Sequence, residues 1–234
     1  MKKNILLSGL VLLLINLSAY SQRNIKASDI VRDLKKGKDI SYKNATIEGV
    51  LDFTSMEEEL PKLPRKRRWF NNGGSNTIKR DLSSKITFEN CVFTDPVYAY
   101  IHDEDSGYTF AANFEANVSF KNCQFKDDTL FKYSTFSDKA DFSNSHFERE
   151  NSFKYAVFKK GADFSEATFR KEGMFKYTNF RNGVSFNKSV FKDELNIKYA
   201  KVSGKFDIKN MLVEEYIDSK YTRINGEKFR YSRN

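Results

Sequence analysis

Phenylalanine returns along this chain at intervals of five, six and five residues: in ADFSEATFRKEGMFKYTNF it stands at 164, 169, 175 and 180. No helix accommodates that rhythm. At about 100° per residue, steps of five and six carry successive rings roughly 140° and 120° from a common helical face, and no apolar stripe forms. In extended chain, residues two apart face the same side. The residue two before a ring is nearly always small: Ala140, Ser145, Ala156, Ala162, Ala167, Gly173, Thr178 and Cys123. Each short extended segment therefore turns one small and one bulky residue inward, and a bend follows.

The rhythm closes every 22 residues. Units 118–139, 140–161 and 162–183 place Phe at all twelve inward sites, namely 120, 125, 131, 136, 142, 147, 153, 158, 164, 169, 175 and 180. Unit 184–205 continues with Phe186, Phe191, Ile197 and Val202; unit 206–227 keeps Ile208, Val213 and Ile224 and misses at Ser219. Four short strands per coil, with each ring above its counterpart one coil earlier, predict a solenoid whose coils lie about 4.8 Å apart.

VSFKNCQF (118–125), ADFSNSHF (140–147) and ADFSEATF (162–169) resemble pentapeptide repeats: a small residue, Asp or Asn, then Leu or Phe, and two polar residues. The chain is similar to the Phe-rich subgroup in which pairs of repeats are separated by one extra residue. The resemblance is dense from 118 to about 202. It implies an all-β fold, a right-handed quadrilateral β-helix of about seven coils.

The register runs backwards through two interruptions. ITFENCVF supplies Phe88 and Phe93, and Phe114 fits if ten residues are inserted in TDPVYAYIHDEDSG. Tyr42, Ile47 and Phe53 repeat the five-then-six spacing, with Leu82 closing that coil after a longer insertion. Eighteen of the 22 phenylalanines then lie in register, so the repeat is the core. The coils are expected over 40–227, with insertions near 54–85 and 94–107. KASDIVRDLKKGK, within 22–39, predicts an amphipathic lid for the solenoid's open end, with Ser28 as N-cap, Ile30, Val31 and Leu34 buried, and Gly37 as the stop. Residues 228–234 read as a basic tail.

MKKNILLSGLVLLLINLSAYSQ has the form of a secretory signal peptide: Lys2 and Lys3, an apolar run from Ile5 to Leu17, and the small residues Ala19 and Ser21. Cleavage before Gln22 is expected, leaving no transmembrane segment, since the run is shorter than the ~20 residues a bilayer span needs. Cleavage removes Lys2 and Lys3 and lowers the formal charge from +9 to +7; a basic, exported chain is a poor candidate for the acidic, DNA-shaped members that the resemblance also implies, and nucleic acid is not an expected partner.

Equivalent positions become surface columns. FKYS, FKYA, FKYT and IKYA align Lys132 and Tyr133, Lys154 and Tyr155, Lys176 and Tyr177, Lys198 and Tyr199, and SKYT adds Lys220 and Tyr221. This strip is either a charge-balanced edge with an aromatic ladder, or a binding surface on which sugars or bases stack beside lysine. Four residues before each lysine, Asp128, Glu150, Glu172 and Glu194 form an acidic column able to offset the basic one. Asn44, Asn90, Asn122, Asn144 and Asn210 form another column, interrupted by Glu166 and Lys188, and read as a structural amide ladder.

Arg65, Lys66, Arg67, Arg68 and Trp69 make a second candidate contact, suited to an anionic group, though Glu57, Glu58 and Glu59 are placed to neutralise it. Cys91 and Cys123 share one inward column, as free thiols in preference to a disulfide, because stacked parallel strands hold side chains awkwardly for that bond. HDEDSG lacks the closing carboxylate of a calcium loop. His102 and His146 have no metal partner or nucleophile in the sequence around them, and no catalytic residue, metal site or cofactor is assigned. The expected function is an exported, non-enzymatic interaction or structural module of the cell envelope. Its partner is a protein or, alternatively, a polysaccharide or other anionic polymer; pairing into a homodimer stays open. A polysaccharide-acting enzyme would need a cleft beside Glu150 and Glu172.

Overall fold

A computed structural model describes residues 23–64 and 76–231; the expected signal segment and Arg65, Lys66, Arg67, Arg68 and Trp69 lie outside the described residues. The strands form four stacks of seven, eight, seven and nine, parallel from coil to coil except that Glu227–Lys228, at the end of the nine, runs antiparallel to its neighbour. Ala162–Asp163, Thr168–Phe169, Gly173–Met174 and Asn179–Phe180 are one coil's contribution to the four walls. They are called here the first to fourth faces. From Phe114 onward each strand pairs with its equivalent 22 residues on, as Phe169 with Phe191; across the insertions the step is 46 or 32 residues, as Ile40 with Ile86 and Ile86 with Val118.

The alternation of five and six has a backbone cause. Each five-residue step turns its corner on a single residue in the left-handed region: Asn144 (φ 57°) between the first and second faces, Tyr155 (φ 60°) between the third and fourth. Each six-residue step spends its extra residue on a wider corner. At one of these, Gly183 (φ 81°) leaves no room for a side chain, since a Cβ there would lie 2.8 Å from the Lys205 carbonyl.

Inside, the twelve expected phenylalanines are all buried. Rings stack along each column, as Phe147 on Phe169 at 4.7 Å and Phe136 on Phe158 at 4.6 Å. They meet edge to face across the tube, as Phe153 against Phe164 at 5.0 Å and 76°. Both geometries suit the ring quadrupole. The small inward residues fill what the rings leave, and their hydroxyls bond carbonyls of the preceding coil: Thr178 Oγ1 donates to Phe153 O at 2.8 Å.

The N-terminal end differs from expectation. A strand, β1 (Arg23–Lys26), already pairs with Ala45–Glu48 and sets Ile25 on Ile47, so the solenoid begins before the lid and not at residue 40. Helix α1 (Ala27–Lys35) follows at once and buries Ala27, Ile30 and Leu34. Because β1 runs to Lys26, that residue is the N-cap; Ser28 falls inside the first turn and Val31 is only half-buried. Gly37 (φ 69°) ends the helix as expected.

The two insertions are narrower than 54–85 and 94–107, because Thr77–Leu82 and Val97–Tyr98 are wall strands. They also meet. Thr77–Leu82, Tyr108–Phe114 and Tyr100–Asp103 form one three-stranded extension of the fourth face. HDEDSG is its hairpin turn, with Gly107 N donating to Asp103 O at 2.8 Å. Glu58 pairs with Lys35 of the lid and Glu59 with Lys62. At the other end Glu227–Lys228 folds back on Arg223–Ile224, and Phe229 meets Phe206 edge to face at 5.3 Å. The chain through Phe229 is therefore part of the wall and its packing, not a free tail.

Candidate functional site

The Lys/Tyr strip lies on the corner between the third and fourth faces. Tyr133, Tyr155, Tyr177, Tyr199 and Tyr221 stack face to face, with centroids 4.8, 4.7, 4.6 and 4.7 Å apart. A sixth ring, Tyr100, tilts onto Tyr133 at 5.8 Å. Tyr100 stands at the lysine position of its coil, 32 residues before Lys132 (22 plus the ten inserted), so the tyrosine column in the sequence does not display it.

Ring stacking decides what the strip can do. The faces of the inner tyrosines are closed by one another, so a sugar or base has no ring face to lie on along the ladder, and that mode of binding is corrected. What remains outside is a row of ring edges and hydroxyls bordered by ammonium groups. Lys132 Nζ lies 4.5 Å from the Tyr100 centroid and donates to its hydroxyl at 3.2 Å. Lys154, Lys176 and Lys198 each sit 5.3, 5.5 and 5.8 Å from the ring of the following tyrosine.

The lysine row is not neutralised by the acidic column. Among the described residues Lys132, Lys154, Lys176 and Lys220 make no ion pair, and Lys198 approaches only Asp218, at 3.8 Å. The width of the third face separates the two columns, and the acids turn to nearer donors. Asp128 Oδ1 accepts from Glu150 N at 3.2 Å, and Glu172 Oε1 accepts from Asn196 Nδ2 at 2.9 Å. Burial, then the charges of Lys132 and Lys176, hold the Lys154 ammonium below its ordinary pKa. Burial, then its neighbours Tyr133 and Tyr177, push the Tyr155 hydroxyl up.

The asparagine corner is a ladder only at its start. Asn90 Nδ2 donates to Asn44 Oδ1 at 3.0 Å and Asn122 donates to Asn90, while Glu166 and Lys188 replace the amide contact by an ion pair of 3.1 Å. Cys91 and Cys123 are buried free thiols, and burial pushes the Cys123 thiol up.

Two shallow depressions mark the corner between the second and third faces. One, of about 790 Å³, is lined by Lys126, His146, Arg149, Arg170, Lys171 and Lys192 among others, a basic grouping the linear sequence does not display. Two of its cations are engaged, Arg170 by Glu148 at 2.8 Å and Lys192 by Glu214. The other, of about 430 Å³, has Glu150 and Glu172 on its rim beside Arg149 and Lys171. It is open, and the Glu172 carboxylate is already held by Asn196. Among the described residues no group of three or more His, Cys, Asp and Glu could hold a metal.

Four parallel walls, a ring-filled interior and columns of polar side chains define a β-solenoid. A family model for pentapeptide repeats (9 copies) matches residues 110–157 and 153–201. Residues 110–201 thus carry the repeats of the pentapeptide-repeat family, which suggests a structural or interaction module and whose members are generally non-catalytic. No curated protein and no solved structure matches the chain significantly.

Proposed function

We propose that the protein is an exported, non-enzymatic rod of the cell envelope that holds a protein partner along the Lys/Tyr edge. The unneutralised lysine row carries this reading: like charges repeated at the spacing of one coil cost stability unless a partner of opposite sign meets them. The signal-like first 21 residues support export. Among the described residues no helix is long and apolar enough to cross a membrane. The same row favours a second reading, an anionic polymer held by ammonium and hydroxyl groups without stacking.

The test uses a variant with Lys154→Gln, Lys176→Gln, Tyr155→Phe and Tyr177→Phe, which keeps the rings stacked and removes charges and hydroxyls. The native protein is expected to retain an envelope partner that this variant loses. Displacement of that partner by a sulfated polysaccharide supports the polymer reading. Equal retention by both forms means the strip is not the contact.

A further inference from the structure

Along the other corners some opposite charges pair between successive coils, giving Arg170–Glu148, Lys188–Glu166 and Lys192–Glu214. The third face differs. Its two borders are single-sign columns: Asp128, Glu150, Glu172 and Glu194 on one side, Lys132, Lys154, Lys176, Lys198 and Lys220 on the other. Both lean over the wall between them, as Glu172 bonds Asn196 at 2.9 Å and Lys198 approaches Asp218 at 3.8 Å. That wall is low, with Leu130, Met174 and Asn196 half-buried and Ser152 buried. By contrast the first face carries outward Asp141, Asp163 and Asp207 without a basic column opposite.

We propose that the third face is the surface through which two copies of this chain pair side by side, about a two-fold axis parallel to the solenoid axis. This rests on the reading of the protein as an interaction module and names its partner as a second copy. The symmetry follows from the charges. A two-fold along the solenoid exchanges left and right borders at constant height, so Asp128, Glu150, Glu172 and Glu194 of one copy face Lys132, Lys154, Lys176 and Lys198 of the other, twice over. A two-fold across the solenoid sets acid on acid and base on base. Only the parallel pair is complementary, and charge complementarity selects partner and register. Each copy supplies the counter-charge that the other's lysine row lacks. Leu130 and Met174 meet their own equivalents near the axis. Arg149 and Lys171 border the acidic column from the second-face side without an ion pair to it among the described residues, so its carboxylates are not consumed there.

Sedimentation of the native chain, of Lys154→Glu with Lys176→Glu, and of Glu150→Lys with Glu172→Lys tests this. The native chain is expected to be a dimer that dissociates as salt is raised. Each variant alone presents one sign across the two middle rungs of the face and is expected to be monomeric. An equimolar mixture is expected to regain dimer, as the mixed species by native mass, which also shows that both variants are folded. Met174→Cys is expected to form a disulfide-linked dimer under a mild oxidant, an outcome that end-to-end pairing does not give. A native chain monomeric at every concentration, or charge variants that pair as well as the native chain, overturns the proposal. A monomer that still holds an envelope partner through Lys154 and Lys176 leaves the interaction reading standing without it.

Discussion

Two corners of this tube have the same backbone and different side chains. At the corner between the first and second faces, Asn122, Asn144, Glu166, Lys188 and Asn210 hold φ between 54° and 58°. At the corner between the third and fourth, Tyr133, Tyr155, Tyr177, Tyr199 and Tyr221 hold φ between 59° and 64°. The main-chain bonds match as well: Asn144 N reaches Ser165 O at 2.8 Å and Tyr155 N reaches Lys176 O at 3.1 Å. The left-handed region is cheap for asparagine and costs a bulky L residue roughly 1–2 kcal/mol. The first corner uses the residue the backbone favours and tolerates exchange with Glu and Lys. After Ser55 (φ 57°) in the first coil, the second repeats a residue the backbone disfavours in five successive coils, so what holds tyrosine there lies outside the turn, in the stacked neighbours and in whatever meets the ring edges.

Glycine removes a side chain and leaves either turn unstrained, so it separates the two corners most widely. Asn122→Gly with Asn144→Gly is expected to stay within about 1 kcal/mol of the native stability. Tyr155→Gly with Tyr177→Gly removes three stacked pairs, each worth ~0.5–1.5 kcal/mol. At about 1 kcal/mol per pair, less about 1 kcal/mol of relief at each of the two turns, a net loss of about 1 kcal/mol remains beyond the glycine cost that both corners share. Urea unfolding midpoints give both numbers. Equal losses at the two corners would mean the ladder adds nothing to the turn.

A smaller effect reverses sign along the ladder. Tyr155→Asn relieves the turn by about 1 kcal/mol and gives up two ring contacts, for an expected net loss of roughly 1 kcal/mol. Tyr221→Asn gives up one contact, with Tyr199 at 4.7 Å, so loss and relief come out near zero. Thermal melts of the two variants compare the middle rung with the end rung. A stabilised Tyr155→Asn protein would show that the middle tyrosines are kept for binding and not for the fold.

The interior was legible in the sequence because one physical demand, an apolar ring at every quarter turn, is written at every coil. Phe120 to Phe191 need no other context. β1 was not legible, since one strand with Ile25 as its single inward residue carries no period, and Ser28 was read as a cap because the strand before it was invisible. The limits of the insertions failed for a related reason: Thr77–Leu82 and Tyr108–Phe114 pair with each other across 32 residues, a relation that exists only once the coils are stacked. On the surface the columns could be counted but not their contacts. The acidic column sits four residues from the lysines in the chain and a full wall away in space, and the tyrosines' closed faces appear only when ring planes are seen within 1° to 18° of parallel.

The smallest predicted effect concerns the lysines that accompany the tyrosine corner and have no counterpart at the asparagine one. With Lys132 and Lys176 on either side, a charged Lys154 opposes folding, and Lys154→Gln is expected to stabilise the unpaired chain by a few tenths of a kcal/mol at low salt. Its pH dependence has a definite sign. The unfolded chain keeps this proton to higher pH than the folded one, so stability rises with pH between the lowered folded value and the ordinary lysine value of 10.5. Tyr155 acts the other way: its raised hydroxyl keeps its proton longer in the folded chain, and stability falls as pH passes the ordinary value of 10.0. In the native chain the two trends offset each other, while Lys154→Gln leaves the tyrosine trend alone. Melting temperatures from neutral pH to above 10 should therefore fall more steeply in the variant, and parallel curves would show that the lysine row is not strained by its own charge.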